Sequence, residues 1–440
     1  VPEQDVVVVG GGVAGISAAL ELARHDLNVH LIEKSPFLGG HAIHYSCKAN
    51  GACRRCNACL VEDQLKELNK AENVLVHLAS RIREVERPKG RFRLQTRQLP
   101  LFDSEREQEA LRSLAHTEGW KHVVRRGPSR HNTPLYALDP SGLENTAIRS
   151  TALPDAASDL DLSREPRNEL IQAEAVLLTT GFQPFDPYRI GTFNCSSLKN
   201  VVSALDLEKL RKISGSHLRP SDGAPPERVA FIQCVGSRNA AHGNLWCSRV
   251  CCPYALRMAE AIRSEQPGAE ISFFYMDLQN CDRDQNRSLS ACCSDFRFIR
   301  MMPVDLLAGE NDSVTVRYMA PGESIEQESF DMVVLSVGME PGPDNVSLAG
   351  MFDIELNRHG FFRAAPGQQG MPEASGVFPA GAATGPKDIA ESMEQAQEAA
   401  KDLLTHLSSQ EKIDNGYERG LDFHTGSDRR IGVDRHHSGP

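Results

Sequence analysis

Asp5-Val6-Val7-Val8-Val9-Gly10-Gly11-Gly12-Val13-Ala14-Gly15-Ile16-Ser17-Ala18-Ala19-Leu20-Glu21-Leu22-Ala23 decides how this chain folds. The apolar run from Asp5 to Val9 reads as a buried parallel strand, the glycines as a tight turn and the segment from Ile16 as a helix. Gly10, Gly12 and Gly15 allow close backbone approach. A pyrophosphate can then rest on the helix N-terminus, where free N–H groups and the helix dipole favour anions. A second strand, Asn28-Val29-His30-Leu31-Ile32, ends in Glu33. That acid follows the turn by about 20 residues, where a βαβ unit places a carboxylate to accept hydrogen bonds from an adenosine ribose. The glycine spacing alone is a weak signal, but with both strands, the helix and the terminal acid it specifies a dinucleotide site.

The whole chain of 440 residues is 40% hydrophobic and 24% charged, with a mean hydropathy of -0.37, the composition of a globular protein of two to three domain-sized units. Its 48 basic and 59 acidic residues leave a net charge of -11, which argues against nucleic acid or an anionic membrane as the main partner. No basic region precedes the first strand, so a secretory leader is not expected. No apolar run is long enough to span a membrane, and association with one would need another subunit. Twelve cysteines are present; eleven fall in three clusters and Cys195 stands alone. Without a leader, clustered cysteines read as thiolate ligands or redox centres in a reducing, cytoplasmic compartment.

Lys34-Ser35-Pro36-Phe37-Leu38-Gly39-Gly40 follows the acid, and this continuation resembles the FAD-binding domain of the glutathione reductase and thioredoxin reductase superfamily. The resemblance implies FAD and adds Lys34, Gly39 and Gly40 to the site. Two later strands ending in glycine turns look like further FAD motifs of that superfamily: Ala175 to Phe182, with Thr180 and Gly181, and Gly376 to Ala383, with Gly381. Many members carry an acid after this last glycine to hold the ribityl chain, whereas here Ala382 follows. A helix opening at Lys387-Asp388-Ile389 would aim backbone N–H groups at the pyrimidine edge of the flavin, where reduction develops negative charge.

A second βαβ unit runs from Arg228-Val229-Ala230-Phe231-Ile232-Gln233 through a helical pattern at about 250–264 to Glu270–Asp277. Its phosphate turn carries Cys234-Val235-Gly236-Ser237, then Cys247, Cys251 and Cys252. The spacing leaves enough loop to wrap an iron–sulfur cluster; zinc is the rival, and buried or redox thiols are the third reading. Phe231-Ile232-Gln233-Cys234-Val235-Gly236-Ser237-Arg238, Cys247-Ser248-Arg249-Val250-Cys251-Cys252 and Gly385-Pro386-Lys387-Asp388-Ile389 closely resemble the A subunit of heterodisulfide reductase, and the related A subunit of the quinone-interacting membrane-bound oxidoreductase. In that family the four-cysteine signature binds a [4Fe-4S] cluster beside FAD, so the resemblance implies Cys234, Cys247, Cys251 and Cys252 as ligands. It covers most of residues 4–405. Long members add an N-terminal cluster domain, an inserted ferredoxin-like domain and a C-terminal one, so this chain reads as a short, core-only form.

Cys47, Cys53, Cys56 and Cys59 lie just after Gly40, close in the superfamily to the isoalloxazine end of FAD. A second [4Fe-4S] site is favoured there over a redox disulfide, Cys47 with Cys53 or Cys56 with Cys59, and over zinc or unligated thiols. Arg54 and Arg55 either face solvent or offset cluster charge. His41 and His44 read as hydrogen-bonding residues. Cys281, Cys292 and Cys293 lack a fourth member and read as plain thiols. Arg257 is either an exposed helix arginine or a residue that approaches the flavin.

The fold expected is α/β: two Rossmann-like nucleotide-binding domains as in the disulfide/thioredoxin reductase superfamily, the second inserted in the first. The FAD-binding domain takes 1–225 and 335–405, the inserted NAD(P)-like domain 226–334, and 406–440 reads as a disordered tail. Asp331 to Gly338 reads as the strand returning to the first domain. Between about 97 and 172 the pattern weakens, and that stretch reads as a loop or docking surface, basic at Arg125–Arg130 and acidic at Asp155–Asp161. The function expected is an FAD and [4Fe-4S] electron-transfer subunit, with no catalytic residue singled out. The resemblance implies heterodisulfide reductase B and C-type partners or a membrane quinone-reacting subunit, and allows a homodimer and a peripheral place on the inner membrane through partners. Flavin-based electron bifurcation is a property of the family that this sequence does not establish. Thiols in the second phosphate turn lead us to expect weak or absent NAD(P)H oxidation. The alternatives are a free-standing NAD(P)H-dependent disulfide or sulfur oxidoreductase and a non-catalytic assembly scaffold.

Overall fold

The computed structural model describes residues 4–49, 52–117, 120, 123–130, 133–138, 153–279, 295–320, 322, 324–363 and 376–422. Asp5–Val9 forms the centre of a five-stranded parallel sheet, in the order Val377–Pro379, Ala175–Leu178, Asp5–Val9, Asn28–Ile32, Val74–His77. Val6 and Val8 enter one apolar core and Val7 and Val9 another, which is why the strand reads as an unbroken apolar run rather than an alternation. Burying each such side chain contributes on the order of 1.5–3 kcal/mol. On the first face lie the Val13–Ala23 helix and the long Ile389–Asp422 helix, meeting through Ile16, Ala19, Ala396, Ala400 and Leu403. On the second lie an antiparallel sheet of Ser80–Glu86, Phe92–Gln98 and Arg167–Ala173, and the Asn345–Phe352 helix.

A second parallel sheet repeats the plan in the order Val201–Ser203, Met332–Val337, Arg228–Val235, Glu270–Phe274, Arg297–Ile299. The Ala204–Ser214 and Cys251–Glu265 helices cover one face through Leu207, Ala255, Met258 and Ile262. An antiparallel sheet of Pro303–Ala308, Val314–Met319 and Ile325–Phe330 covers the other. The chain leaves the first Rossmann-like unit, builds the second, and returns through Phe182–Pro184 paired antiparallel with Met339–Pro341.

Four expectations need correction. Met332–Val337 belongs to the second sheet, between Val201–Ser203 and Arg228–Val235, so the strand read as returning to the first domain lies inside the second, which also begins before 226. An isolated apolar run does not reveal which sheet it joins. The stretch after 97 is not simply loop. A helix, Glu105–Ala115, opens with a capping box between Ser104 and Glu107, and the Val124–Arg130 and Thr133–Leu138 hairpin packs with it around Leu111, Leu114, Trp120, Tyr136 and Leu160. The basic patch at Arg125–Arg130 is therefore strand. The last helix runs on through 406–422, with Leu407 in the core; the remainder of the expected tail lies outside the described residues, as do Cys281, Cys292 and Cys293. Among the described residues no helix is long and apolar enough to cross a membrane.

Candidate functional site

At the first turn the glycines have separate duties. Gly10 sits at φ +105, and a Cβ there would come 2.5 Å from the Thr179 carbonyl oxygen. At Gly15 a Cβ would fall 1.8 Å from the Gly10 carbonyl oxygen, so this glycine lets the helix press onto the turn. Gly12 is different: an added Cβ would meet only the Gly40 Cα, at 3.9 Å, so two bare backbones face each other at the start of an uncapped helix. The Gly39 N–H, at φ +100, donates to the Gly11 carbonyl at 2.7 Å and ties the second loop to the first. Glu33 is buried, and its carboxylate accepts from the Gly11 N–H at 2.6 Å and the Ser35 N–H at 2.7 Å. Burial raises its carboxyl above the usual range and outweighs these two donors.

Around this slot the other sequence-derived residues divide. Gly381, at φ +69, closes over the first helix, where a Cβ would sit 2.7 Å from Ala14 Cβ; its N–H donates to Gln395 Oε1 at 2.9 Å. Lys387 Nζ donates to Thr384 Oγ1 at 2.8 Å, and burial lowers its pKa, with Arg249 adding to the effect. Asp388 and Glu391 cap the helix reciprocally: the Asp388 N–H donates to Glu391 Oε2 at 3.1 Å and the Glu391 N–H to Asp388 Oδ1 at 2.8 Å, with Ile389 its first residue. Gly181 takes φ +74, and Thr180 Oγ1 lies 3.5 Å from Asn345 Oδ1. Lys34 is turned outward, paired with Asp344 at 2.5 Å. Thr179, missed in the sequence, donates from Oγ1 to the Val9 and Gly10 carbonyls at 3.0 Å each and fastens the turn; its place just before Thr180-Gly181 was the available signal.

The second turn is filled by its own chain. A Cβ on Gly236 would lie 1.9 Å from Phe185 Cγ, so the Phe185 ring packs directly against the turn. Asn244 Nδ2 donates to the Gly236 carbonyl at 2.9 Å, and Ser237 and Ser248 hydroxyls meet at 2.5 Å. Cys234, Cys251 and Cys252 are buried and Cys247 is half-buried; Cys251 and Cys252 open their helix. Burial pushes the Cys234 thiol up to about 11, and Cys251 and Cys252 are also raised by burial, each thiol feeling the charge of its neighbours. Four thiolates here would need a cation to be stable. Beside Cys234, both side-chain atoms of the fully buried Gln233 lack a partner among the described residues. This donor set and the orphaned amide fit an iron–sulfur group or a metal in chemistry, although no group of three or more ligand side chains has closed to metal-binding spacing among the described residues.

Arg249 lies between Cys247 and Cys251 at φ +64. Its N–H donates to Cys247 Sγ at 3.3 Å, Nη1 to the Pro386 carbonyl at 3.2 Å and Nη2 to Glu391 Oε1 at 2.8 Å. The cysteine turn of the second sheet is thereby joined to the helix start of the first.

Cys47, Cys53 and Cys59 are exposed and Cys56 is half-buried; all are free thiols, and they do not gather into a ligand shell. What the fold does hold is their stem. Lys48 and Glu208 form an ion pair with side chains 1% and 0% exposed, Ser46 donates to Glu208 from its N–H at 3.1 Å and Oγ at 3.0 Å, and Lys48 lies 5.1 Å from the Tyr254 ring. Arg54 pairs with Glu260 on the cysteine helix at 3.2 Å, so it is not simply solvent-facing. The Arg55 N–H donates to Cys53 Sγ at 3.4 Å. His41 contacts the Phe182 carbonyl at 3.2 Å, and burial lowers its pKa; His44 is lowered to about 4 by burial and neighbouring cations. Arg257 lies on the same helix as Cys251 and Cys252. Cys195 is apart, with its thiol 3.8 Å from the Pro187 carbonyl and raised to about 11 by burial.

A family model described as FAD dependent oxidoreductase matches residues 5–132. The A subunit of the Ferredoxin:CoB-CoM heterodisulfide reductase of Methanosarcina mazei is 29% identical over 431 residues, 93% of this chain and 54% of that protein. The chain resembles the heterodisulfide reductase A subunit. Iron-sulfur A subunit 2 of the CoB–CoM heterodisulfide reductase of Methanopyrus kandleri is 30% identical over 430 residues, covering 92% of this chain and 64% of the relative. The chain thus spans little more than half to under two thirds of these relatives. In architecture it is similar to T. acidophilum thioredoxin reductase, with a TM-score of 0.52 at 16% identity, covering 92% of this chain and 99% of that one. The shared feature there is the fold of two Rossmann-like units.

Proposed function

We propose that the chain is the FAD and [4Fe-4S] electron-transfer subunit of a heterodisulfide reductase-like or quinone-interacting oxidoreductase complex. The observation that carries this reading is the contrast at the second phosphate turn, filled by Phe185 and Asn244 and surrounded by buried thiols. A turn so filled disfavours a pyridine nucleotide, while the thiols suit a cluster. Gly10, Gly12, Gly15, Gly39 and Gly40 would hold the FAD pyrophosphate, Glu33 the ribose, and Thr180, Gly181, Gly381 and the Lys387–Ile389 segment the flavin end, with Lys34 at the rim. FAD converts between two-electron and one-electron steps, and a cluster passes single electrons. Cys234, Cys247, Cys251 and Cys252 would be the ligands, with the Gln233 amide available as a donor to sulfur. The relatives' names, which make each of them one subunit of a larger reductase, support B and C-type or quinone-reacting partners.

The test is iron, acid-labile sulfide, zinc and flavin content of anaerobically purified protein, with EPR of the reduced sample. About four iron per FAD, lost in Cys251→Ser, supports the buried set alone; about eight, halved in Cys56→Ser, adds the Cys47–Cys59 set as a second cluster. Rapid flavin reduction by NADH, or no iron in protein kept from oxygen, overturns the reading in favour of a disulfide oxidoreductase.

A further inference from the structure

We propose that Arg249 is the positioning residue that holds the Cys234–Cys252 thiols at a set distance from the Pro386–Glu391 segment, and that electron passage between them depends on it. The inference rests on the proposed FAD and cluster sites. Three bonds carry it: the Arg249 N–H to Cys247 Sγ, and the guanidinium to the Pro386 carbonyl and to Glu391. Pro386 and Glu391 flank the residues that open the last helix, whose strand and core belong to the first sheet; Cys247 belongs to the second. One residue therefore touches both halves of the path.

The backbone supports the same reading. Arg249 occupies the left-handed region at φ +64, and so do Cys234 at φ +57 and Arg238 at φ +53 in the same loop system. A non-glycine residue is held there only when its surroundings over-determine it. Glycine would suit the backbone better, so what the position gains from arginine is the fork, whose planar, fixed geometry reaches a carbonyl and a carboxylate at once, where a lysine ammonium on its flexible stem would hold them less rigidly. The step concerned is a single-electron transfer from reduced flavin to oxidised cluster. The flavin loses the electron the cluster gains, and no bond between them forms or breaks.

Arg249→Gly keeps the left-handed turn and removes the fork, Arg249→Lys keeps the charge, and Glu391→Gln removes the acceptor charge. In protein with wild-type iron and flavin content, Arg249→Gly should slow flavin-to-cluster transfer several-fold, followed by rapid-mixing absorbance, because electron tunnelling weakens with every increase in the distance between the two groups. Arg249→Lys should fall between, and Arg249→Gly with Glu391→Gln should be no slower than Arg249→Gly alone. In metal-free protein, amide exchange at 386–391 and 247–252 should rise together in Arg249→Gly. A fully loaded variant transferring at the wild-type rate, or exchange unchanged in both segments, overturns the proposal. Wild-type protein without iron at these cysteines overturns the underlying reading and the electron path with it, while exchange still decides the bridge.

Discussion

The two βαβ units start from the same plan and end as different devices. In the first, Gly10-Gly11-Gly12 leaves a slot between bare backbones at a helix N-terminus. In the second, the equivalent turn bends through Cys234 and Gly236 at positive φ, takes the Phe185 ring on its surface and has its carbonyl bonded by Asn244. One strand–turn–helix frame can therefore offer an anion site or bury a set of thiols, according to which side chains fill the turn. The two cysteine sets differ as well: in the second, Cys234, Cys251 and Cys252 are buried and the last two open a helix, while in the first, Cys47, Cys53 and Cys59 are exposed and the loop is held through Lys48–Glu208 and Arg54–Glu260.

The stem offers the largest effect with which to break this comparison. Lys48→Met leaves the buried Glu208 carboxylate without its counter-charge and should cost about 3–5 kcal/mol in urea denaturation, while Lys48→Met with Glu208→Leu should recover most of it. If the single variant is neutral, the first cysteine set is not anchored through its stem. Phe185→Ala tests the filled turn. It should cost about 3 kcal/mol as a core truncation, yet NADH should still fail to reduce the flavin quickly, because Asn244 continues to hold the Gly236 carbonyl. Fast reduction would show that the ring alone had kept the nucleotide out.

The glycines sharpen the contrast from the other side. Gly15→Val drives a Cβ into the Gly10 carbonyl and should destabilise the fold by about 2–3 kcal/mol. Gly12→Val, pointing into the slot, should stay within about 1 kcal/mol of wild type but lose bound flavin, measured as absorbance of the purified protein. The smallest effect concerns the end of the cysteine helix. Burial would raise the Glu265 carboxyl, but bonds from the His217 ring and N–H and from Arg211 hold it at about 2. Its folded pKa is depressed, so its stabilisation is present above about pH 4.5 and is lost as pH falls toward 2. Glu265→Gln should then cost about 1 kcal/mol at pH 7, after allowance for its partial exposure, and nothing near pH 2.

Much of the first site was legible because its chemistry is local. A glycine turn between a strand and a helix, and an acid ending the next strand, are properties of consecutive residues, and Gly10, Gly12, Gly15 and Glu33 meet where that pattern puts them. Thr179, Arg249, Phe185 and the Lys48–Glu208 pair were not legible, since each acts on a partner distant in sequence. The strand at Met332–Val337 was visible as a strand but not as a member of the second sheet. The core after residue 97 escaped notice because its apolar residues are spread among polar ones.

The sequence by itself determined the α/β class, the two Rossmann-like units, the glycine slot and the grouping of the cysteines, because apolar periodicity and the backbone freedom of glycine act over a few residues. Only the tertiary structure decided that one cysteine set is buried and the other exposed, that Phe185 closes the second turn, and that Arg249 joins the two halves. Burial and contact between distant residues depend on how sheets, helices and loops pack together, and no local pattern encodes that packing.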